Sequence, residues 1–584
     1  MAFLDVSKAF DSVSHASLLL AAERMGIPGP FLSYLRSLYA EASTVLQVDG
    51  QLSGPLVQNR GVKQGDPLSP LLFNCVIDWA LESLDSEMGV VAGLGPRLNH
   101  LAFADDVVIV CESAIGCQHL CRQFERALGR CGLRLNADKS RTLRISVNGK
   151  AKKWVCDPTP FLSLAGGVLP AVPISQGYNY LGFTISARER DSTPEELLER
   201  GLNHLTRAPL KPQQRLYMLR VHLLPKLHHR LVLSRTRGGV LRRLDKLVRR
   251  RVRAWVHLPH DATNTYIHAD ARDGGLGIPS LRTSIPFMKR GRLERLARSD
   301  DPMISHMVSH SAAFAKECAK CSWPPVRVGS VTVNSVTEAR REQARQLHAS
   351  ADGYGLEASA MVPFVHSWVS DGTTLLTGAS FVHAVQIRGA TVCTRKRASR
   401  GRPLSSDKCD ACGRTETLGH ILQTCHRTWG TRIKRHDAVL EKLLKDLERR
   451  GWSLMRAPVI PVRGGSPQVP DVVAYNDGNC WVIDASVVAD NADLNDAHDS
   501  KCAKYDTTAV RDWCQANWPS SDPSGVVRFG ALVFNWRGVM SQNSARMCHQ
   551  LGVPRSSMKL MAVCTVEWSW NVYRNFQRCT ASWH

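Results

Sequence analysis

The chain has 584 residues, which at ~150 residues per domain predicts three or four domains, and its 43% hydrophobic and 22% charged content excludes a disordered or fibrous protein. Lys and Arg total 75 against 52 Asp and Glu, a formal charge of +23, and such a surplus on a globular chain points to a polyanionic partner, nucleic acid being the commonest. No uninterrupted apolar run reaches the ~18 residues of a membrane span; the best stretch, residues 70–81, contains Asn74 and Asp78. Charges at Asp5, Lys8 and Asp11 speak against a secretory signal. The 18 cysteines are dispersed through a large chain, which predicts reduced thiols with one metal site in a cytosolic or nuclear protein.

Residues 1–190 alternate apolar runs with Gly, Pro and Asp punctuation, the pattern of a mixed α/β domain. Phe3-Leu4-Asp5-Val6 opens as a buried strand that delivers a carboxylate at its end. Much further along, Ala102-Phe103-Ala104-Asp105-Asp106-Val107-Val108 sets two aspartates between apolar runs, which predicts a tight β-hairpin. Such a pair is ordinarily a turn feature, but inside a sheet the charge is costly without a cation. Three carboxylates meeting there would bind two Mg²⁺, which take hard oxygen ligands and can drive an in-line displacement at phosphorus. Between the two clusters, Gly61-Val62-Lys63-Gln64-Gly65-Asp66-Pro67 is a turn before an apolar helix. Its backbone can approach a nucleotide and template closely, with Gln64 as a polar contact.

From about residue 195 the chain turns helical and basic. Residues 235–253 hold nine Lys and Arg and one acid, Asp245. Leu241, Leu244, Val248 and Trp255 keep helical spacing, so this stripe should pack while the arginines face outward, as a solvated face or one that tracks phosphates. Residues 281–390 read as mostly helical and carry no evident chemistry. A second basic cluster, Arg395, Lys396, Arg397, Arg400 and Arg402, precedes Cys409-x2-Cys412-x7-His420-x4-Cys425. That is the spacing of a structural Zn²⁺ site, with His426 able to stand in for Cys425. A charged helix is expected over 432–451. Residues 469–475 and 480–488 read as the arms of a hairpin turned at 476–479. Asp471 and Asp484 lie one on each arm and can converge on a cation, and Lys501 or Lys504 could orient water or stabilise developing charge.

Taken in order, F-L-D-x-x-K-A-F-D, G-V-K-Q-G-D-P-L-S-P and F-A-D-D resemble motifs A, B and C of reverse transcriptases. Residues 132–140 resemble motif D, and Tyr180-Leu181-Gly182 resembles the primer-grip motif E. F-A-D-D and L-x-G are closer to non-LTR retrotransposon enzymes than to retroviral ones. The resemblance implies that Asp5, Asp105 and Asp106 are catalytic Mg²⁺ ligands, with the Val6 carbonyl beside them, and that Asp11 is not a ligand. It makes Phe10 the steric gate against ribonucleotides, and Gln64, Gly65 and Lys139 nucleotide or template contacts.

The later constellations resemble the restriction-like endonuclease of one class of these elements: C-C-H-C, Arg435-His436-Asp437, then P-D…D, then Lys501 to Tyr505. This implies Asp471, Asp484, Lys501 and Tyr505 as catalytic residues, with Mg²⁺ on the two aspartates. Ser486 stands where restriction enzymes carry their lysine, so Lys501 and Lys504 both remain open. The implied fold is α+β and multidomain: an antiparallel reverse transcriptase palm with helices (1–190), a basic helical thumb (191–300), a helical linker (301–400), a zinc knuckle (401–450) and a restriction-endonuclease-like α/β domain (451–584). The implied activity is target-primed reverse transcription by an RNA-directed DNA polymerase and a DNA-nicking endonuclease. Element RNA, deoxynucleoside triphosphates and target DNA in ribosomal RNA genes would be its partners, in the nucleus and without a membrane. In the family, fingers motifs precede motif A, which here begins at residue 3, so a carboxy-terminal fragment without fingers is expected. The alternatives are an inactive nucleic-acid-binding fragment and a group II intron maturase-like protein.

Overall fold

The first apolar run, Ala2–Leu4, forms β1, the second strand of a four-stranded sheet in the computed structural model. The structure describes all residues except 64, 92–96, 149–152, 173–177, 186–193, 235, 322–324, 401–405, 477, 519–525 and 582–584. With β2 (His100–Phe103), β3 (Asp106–Ile109) and β4 (Arg141–Thr142), the sheet runs β4-β1-β3-β2, with every pair antiparallel. Alternate residues point to opposite faces. Leu4, Val107 and Ile109 face a core built by α1 (His15–Arg24), α2 (Leu68–Glu82) and α3 (Ala114–Arg130), which contribute Leu18, Phe73, Val76, Leu120 and Phe124. Phe3 and Val108 face the other way, towards Tyr178 and Tyr180 of β5 (Tyr178–Tyr180). Both faces of β1 and β3 are covered, which is why these two strands read as unbroken apolar runs rather than as alternating ones, while the edge strand β2 leaves Leu101 and Phe103 exposed. This sheet belongs to the first of two units, Met1–Thr193 with Arg290–Ser322.

The second unit comprises Pro194–Lys289 and Trp323–His584. Its α4 (Pro194–Arg207) and α5 (Gly238–Trp255) bury Leu198, Leu202, Leu241, Leu244, Val248 and Trp255, so the basic helix packs by the stripe its spacing predicts. The same core holds Trp368, Phe381, Cys409, Cys425, Trp536 and Phe576, so segments that read separately in sequence fold around one interior. Asp245, the lone acid of the basic stretch, is buried. It accepts from Ser280 Oγ at 2.7 Å and from the Leu281 amide at 2.8 Å, capping the helix Leu281–Ala297. Among its described residues the stretch 281–390 is mostly helical, as its sequence predicts. It contains a small hairpin, Arg327–Val328 with Val331–Thr332, and a buried Asp352 that pairs with Arg397 at 2.8 Å. Part of the second basic cluster is therefore engaged inside the fold.

Towards the chain end come α6 (Leu418–Gln423), α7 (Trp429–Arg449), β6 (Ser453–Arg456), β7 (Val472–Asn476), β8 (Asn479–Val488), α8 (Leu494–Tyr505), β9 (Val527–Asn535) and α9 (Arg555–Ala581). The sheet order is β6-β7-β8-β9; the first two pairs are antiparallel, and β9 joins β8 in parallel through a helical crossover. Val439, Leu443 and Leu447 of α7 pack with Met561 and Ala562 of α9 against Ile483, Leu532 and Phe534. The expected hairpin is present, though β7 begins at Val472 instead of 469, and its turn residue 477 lies outside the described residues. Among the described residues no helix is long and apolar enough to cross a membrane.

Candidate active sites and metal-ligand cluster

In the first unit Leu4 pairs with Val107, so the next step along each antiparallel strand sets Asp5 opposite Asp106. Phe103 pairs with Asp106 across a two-residue loop, Ala104-Asp105. Ala104 has φ 53°, a left-handed conformation at a place where such loops favour glycine. The turn thus seats Asp105 at its tip and Asp106 at the head of the return strand. Burial pushes the Asp106 carboxyl up, and Asp105 and Asp5 push it further. Burial also raises Asp5; the Lys139 charge opposes that, and Asp105 adds to it. Mutual repulsion of this kind is relieved by a cation. The Asp5 amide donates to Ser140 Oγ at 3.1 Å, and the Tyr180 hydroxyl donates to the Asp106 carbonyl at 3.4 Å.

Val6 is buried and bridged to Leu135. Phe10 stacks on Phe73 with ring centroids 4.7 Å apart and planes 22° from parallel, so its ring is fixed by α2. Gly61, which sequence reading passed over, holds that arrangement. At φ 87° it lies under motif A, and a Cβ there would meet the Phe10 and Asp11 carbonyls at 2.9 Å. Gly65 has φ 93° with open space around it, so its requirement is conformational. Gln64 lies outside the described residues.

The second unit repeats the device. Val472 pairs with Ile483, which sets Asp471 opposite Asp484 one step beyond. Asp471 Oδ2 accepts from the Ala485 amide at 2.6 Å and lies 3.1 Å from His436 Nε2. The hydrogen bond to Asp471 raises the His436 imidazole to about 9, against burial, with Asp437 adding to the rise. Burial pushes Asp471 up, but His436 and the Ala485 amide outweigh it and hold the carboxyl below its ordinary value. Lys501 Nζ stands 2.7 Å from Asp484 Oδ2, and the Tyr505 hydroxyl is 2.9 Å from Oδ1. Lys504 reaches only the Tyr505 hydroxyl, at 2.9 Å. Of the two lysines, Lys501 is the one brought to the carboxylate. Asp471, Asp484, Lys501, His436 and Ser486 all line one cleft of about 350 Å³. In sequence His436 carries no mark of this site beyond its Arg435-His436-Asp437 setting, because its contact with Asp471 spans 35 residues.

Cys409, Cys412, His420 and Cys425 come together with one ligand atom from each all within 4.8 Å of one another. A tetrahedral Zn²⁺ with ~2.3 Å bonds to sulfur requires edges of roughly 3.5–3.8 Å, so a small closure would complete the site. His420 Nε2 is already 3.2 Å from Cys412 Sγ, while Nδ1 is held by Thr424 Oγ1 at 2.9 Å, the outer contact that orients a ligand ring. His426, the alternative fourth ligand, is exposed and outside this group, whereas Cys425 is buried within it. Arg395 braces the loop through Asp410 and through its amide to Glu416 at 2.9 Å.

The reverse transcriptase (RNA-dependent DNA polymerase) family matches residues 1–185. The chain is 37% identical over 551 residues to the Retrovirus-related Pol polyprotein from type-2 retrotransposable element R2DM of Drosophila melanogaster, covering 94% of this chain and 51% of that protein. It is 30% identical to the Pol polyprotein from type-1 retrotransposable element R2 of Nasonia vitripennis, over 99% of this chain and 55% of the relative. It thus spans about half the length of these two relatives. A Popillia japonica R2 Pol polyprotein is 30% identical over 98% of this chain and 93% of its own length. Matched almost end to end with that relative, the chain belongs to the Pol polyproteins of R2 retrotransposable elements.

Proposed function

We propose that the chain carries the reverse transcriptase palm and the DNA-nicking endonuclease of a non-LTR element, working in sequence by target-primed reverse transcription. The endonuclease would cut one strand of target DNA, and the freed 3′-hydroxyl would prime copying of element RNA. The observation that carries this reading is the pair of separate centres, Asp5 facing Asp106 and Asp471 facing Asp484, each with its own charged neighbours.

At the palm, Asp5, Asp105 and Asp106 would hold Mg²⁺ beside the Val6 carbonyl. Bound there, the ion supplies the charge that activates the primer hydroxyl and neutralises the departing pyrophosphate. Phe10, fixed by Phe73, closes the space at the sugar 2′ position. Gln64 and Gly65 contact nucleotide or template, and Lys139 adds positive charge near Asp5. At the endonuclease, Asp471 and Asp484 would hold Mg²⁺, Lys501 would stabilise charge growing on the scissile phosphate, and Tyr505 fixes the Asp484 carboxylate. The Cys₃His group fits structural Zn²⁺ in its donor chemistry and closeness. The family resemblance supports ribosomal RNA genes as the target, and work on that DNA requires nuclear residence.

The test measures nicking of target duplex and extension of a primer on a pre-nicked duplex. Asp484→Ala should end nicking and leave extension intact, and Asp105→Ala or Asp106→Ala should do the reverse. Loss of both activities in either variant, with the fold intact, would remove the two-centre reading.

A further inference from the structure

Trp429 opens α7 with its indole 64% exposed, and Ile433 one turn on is 41% exposed. The stripe further along the same helix, Val439, Leu443 and Leu447, is fully enclosed. Trp429, Ile433 and His436 stand at i, i+4 and i+7, on one face, and all three line the cleft that holds Asp471, Asp484 and Lys501. An indole left in water at the rim of a polar cleft contributes little to folding, and it offers a flat π surface to whatever enters. Seven residues of helix separate Trp429 from His436 by about 10 Å, roughly three stacked base steps of ~3.4 Å. Arg432, its guanidinium held by the Gln423 and Cys425 carbonyls, lies on the same wall and, with the Lys501 that pairs with Asp484, puts positive charge in the cleft that suits backbone phosphates.

Resting on the endonuclease reading above, we infer that Trp429 is a base-stacking platform, and that this cleft takes a DNA strand with an unpaired base within about three nucleotides of the phosphate to be cut. Inside a duplex both faces of every base are covered by its neighbours, so a rim indole can meet a π face only where a base has left the stack. The charge of the cleft favours a nucleic acid strand over an apolar protein segment as occupant: Arg432 and Lys501 suit phosphates, and the two carboxylates suit the cation that phosphate chemistry uses.

The probe is a duplex with a short central bubble carrying one 5-iododeoxyuridine, bound to the full chain in Ca²⁺ so that no cleavage intervenes, irradiated, and mapped by mass spectrometry. The adduct should form on Trp429 from the bubble and not from the fully paired control. Trp429→Phe should keep the affinity for the bubble duplex, and Trp429→Ala, which removes the adduct together with its acceptor ring, should weaken that affinity about tenfold, the size of one base–aromatic stack. Asp484→Ala should leave the adduct in place while abolishing nicking, which separates this inference from the nuclease reading. Equal adduct from the paired duplex, an undiminished affinity for the bubble in Trp429→Ala, or a concentration-dependent dimer that Trp429→Ala dissolves would overturn it, the last in favour of a second copy of the chain.

Discussion

Asp471 and Asp484 face each other across two antiparallel strands, one step past the last paired residues, Val472 and Ile483. Asp5 stands in the same relation to Asp106 past Leu4 and Val107. Asp5, Asp106 and Asp471 stand at strand ends, where a sheet can present a carboxylate at the edge of its core, whereas Asp484 lies mid-strand in β8, buried and paired with Ala531 of β9. The difference between the centres lies in what meets the carboxylates. In the first unit burial raises the proton affinity of Asp5 and of Asp106, and the Asp105 charge adds to both. In the second, His436 and Lys501 each contact one acid directly.

The two lysines near Asp484 should separate cleanly. Lys501→Ala removes the Nζ that stands 2.7 Å from the carboxylate, and nicking per folded molecule should fall by about one to two orders of magnitude, as for loss of one electrostatic stabiliser. Lys504→Ala removes only a contact to the Tyr505 hydroxyl and should change nicking by less than about threefold, since an exposed cation contributes little. The reverse order in a nicking assay would transfer the role to Lys504.

Zinc should bind at about one ion per chain, because a four-ligand Cys₃His set makes one tetrahedral site. Cys409→Ser and Cys425→Ser should lose it, and His426→Ala should keep it, since His426 is outside the group. Metal analysis of the purified variants decides this. Retention by Cys425→Ser with loss in His426→Ala would reinstate the alternative ligand. Removal by a chelator should also loosen the shared core, because Cys409 and Cys425 are buried in it.

Phe10→Val should raise ribonucleotide incorporation relative to deoxynucleotide incorporation. The ring is stacked against Phe73, and if Phe10 is the gate proposed above, trimming it would open space for a 2′-hydroxyl. An unchanged ratio in single-nucleotide extension, with the protein folded, would leave Phe10 as a packing residue.

Arg537 is 2% exposed, contacts Asp490 at 3.0 Å and donates to the carbonyls of Asp352 and Arg388. Arg537→Leu leaves Asp490 and two carbonyls without their cation and should cost about 3–5 kcal/mol of second-unit stability. The exposed Arg456 pair with Glu441 is the control, and its loss should leave a denaturant midpoint unmoved. A similar midpoint for both variants would show that the buried network contributes nothing.

These residues also mark what sequence can reveal. Asp5, Asp106 and Asp471 were legible at the borders of apolar runs and Asp484 as the lone charge inside one, and strand pairing follows from those runs. The Cys₃His cluster was legible because all four residues lie within seventeen positions with ligand spacing. The Arg537 contacts span 149 and 185 residues and leave no local period to read. Gly61 was passed over because its requirement arises from the backbone of another segment, at Phe10 and Asp11. Asp245 read as one acid in a basic face and turned out to be a buried cap, because its partners at 280–282 belong to another helix.

His436 follows from the same reasoning. Its Nε2 lies 3.1 Å from Asp471 Oδ2 and 3.1 Å from the Ala485 carbonyl, so the ring ties the acid at the head of β7 to the backbone of β8. The Ala485 amide holds the same carboxylate oxygen at 2.6 Å, so Asp471 keeps one anchor when the imidazole is lost, and the fold should survive. What should suffer is the aim of the carboxylate. Outer contacts of this kind are worth about 10–100-fold in metal affinity or activity. His436→Ala should therefore raise the Mg²⁺ concentration needed for half-maximal nicking by about that factor, with nicking at saturating Mg²⁺ much less affected. His436→Gln, which can still donate to Asp471, should recover most of the loss. Asp437→Ala removes only the exposed neighbour of the ring and should sit close to the parent. If His436→Ala instead lowered nicking at every Mg²⁺ concentration by the same factor, the imidazole would be acting on the substrate and not on Asp471.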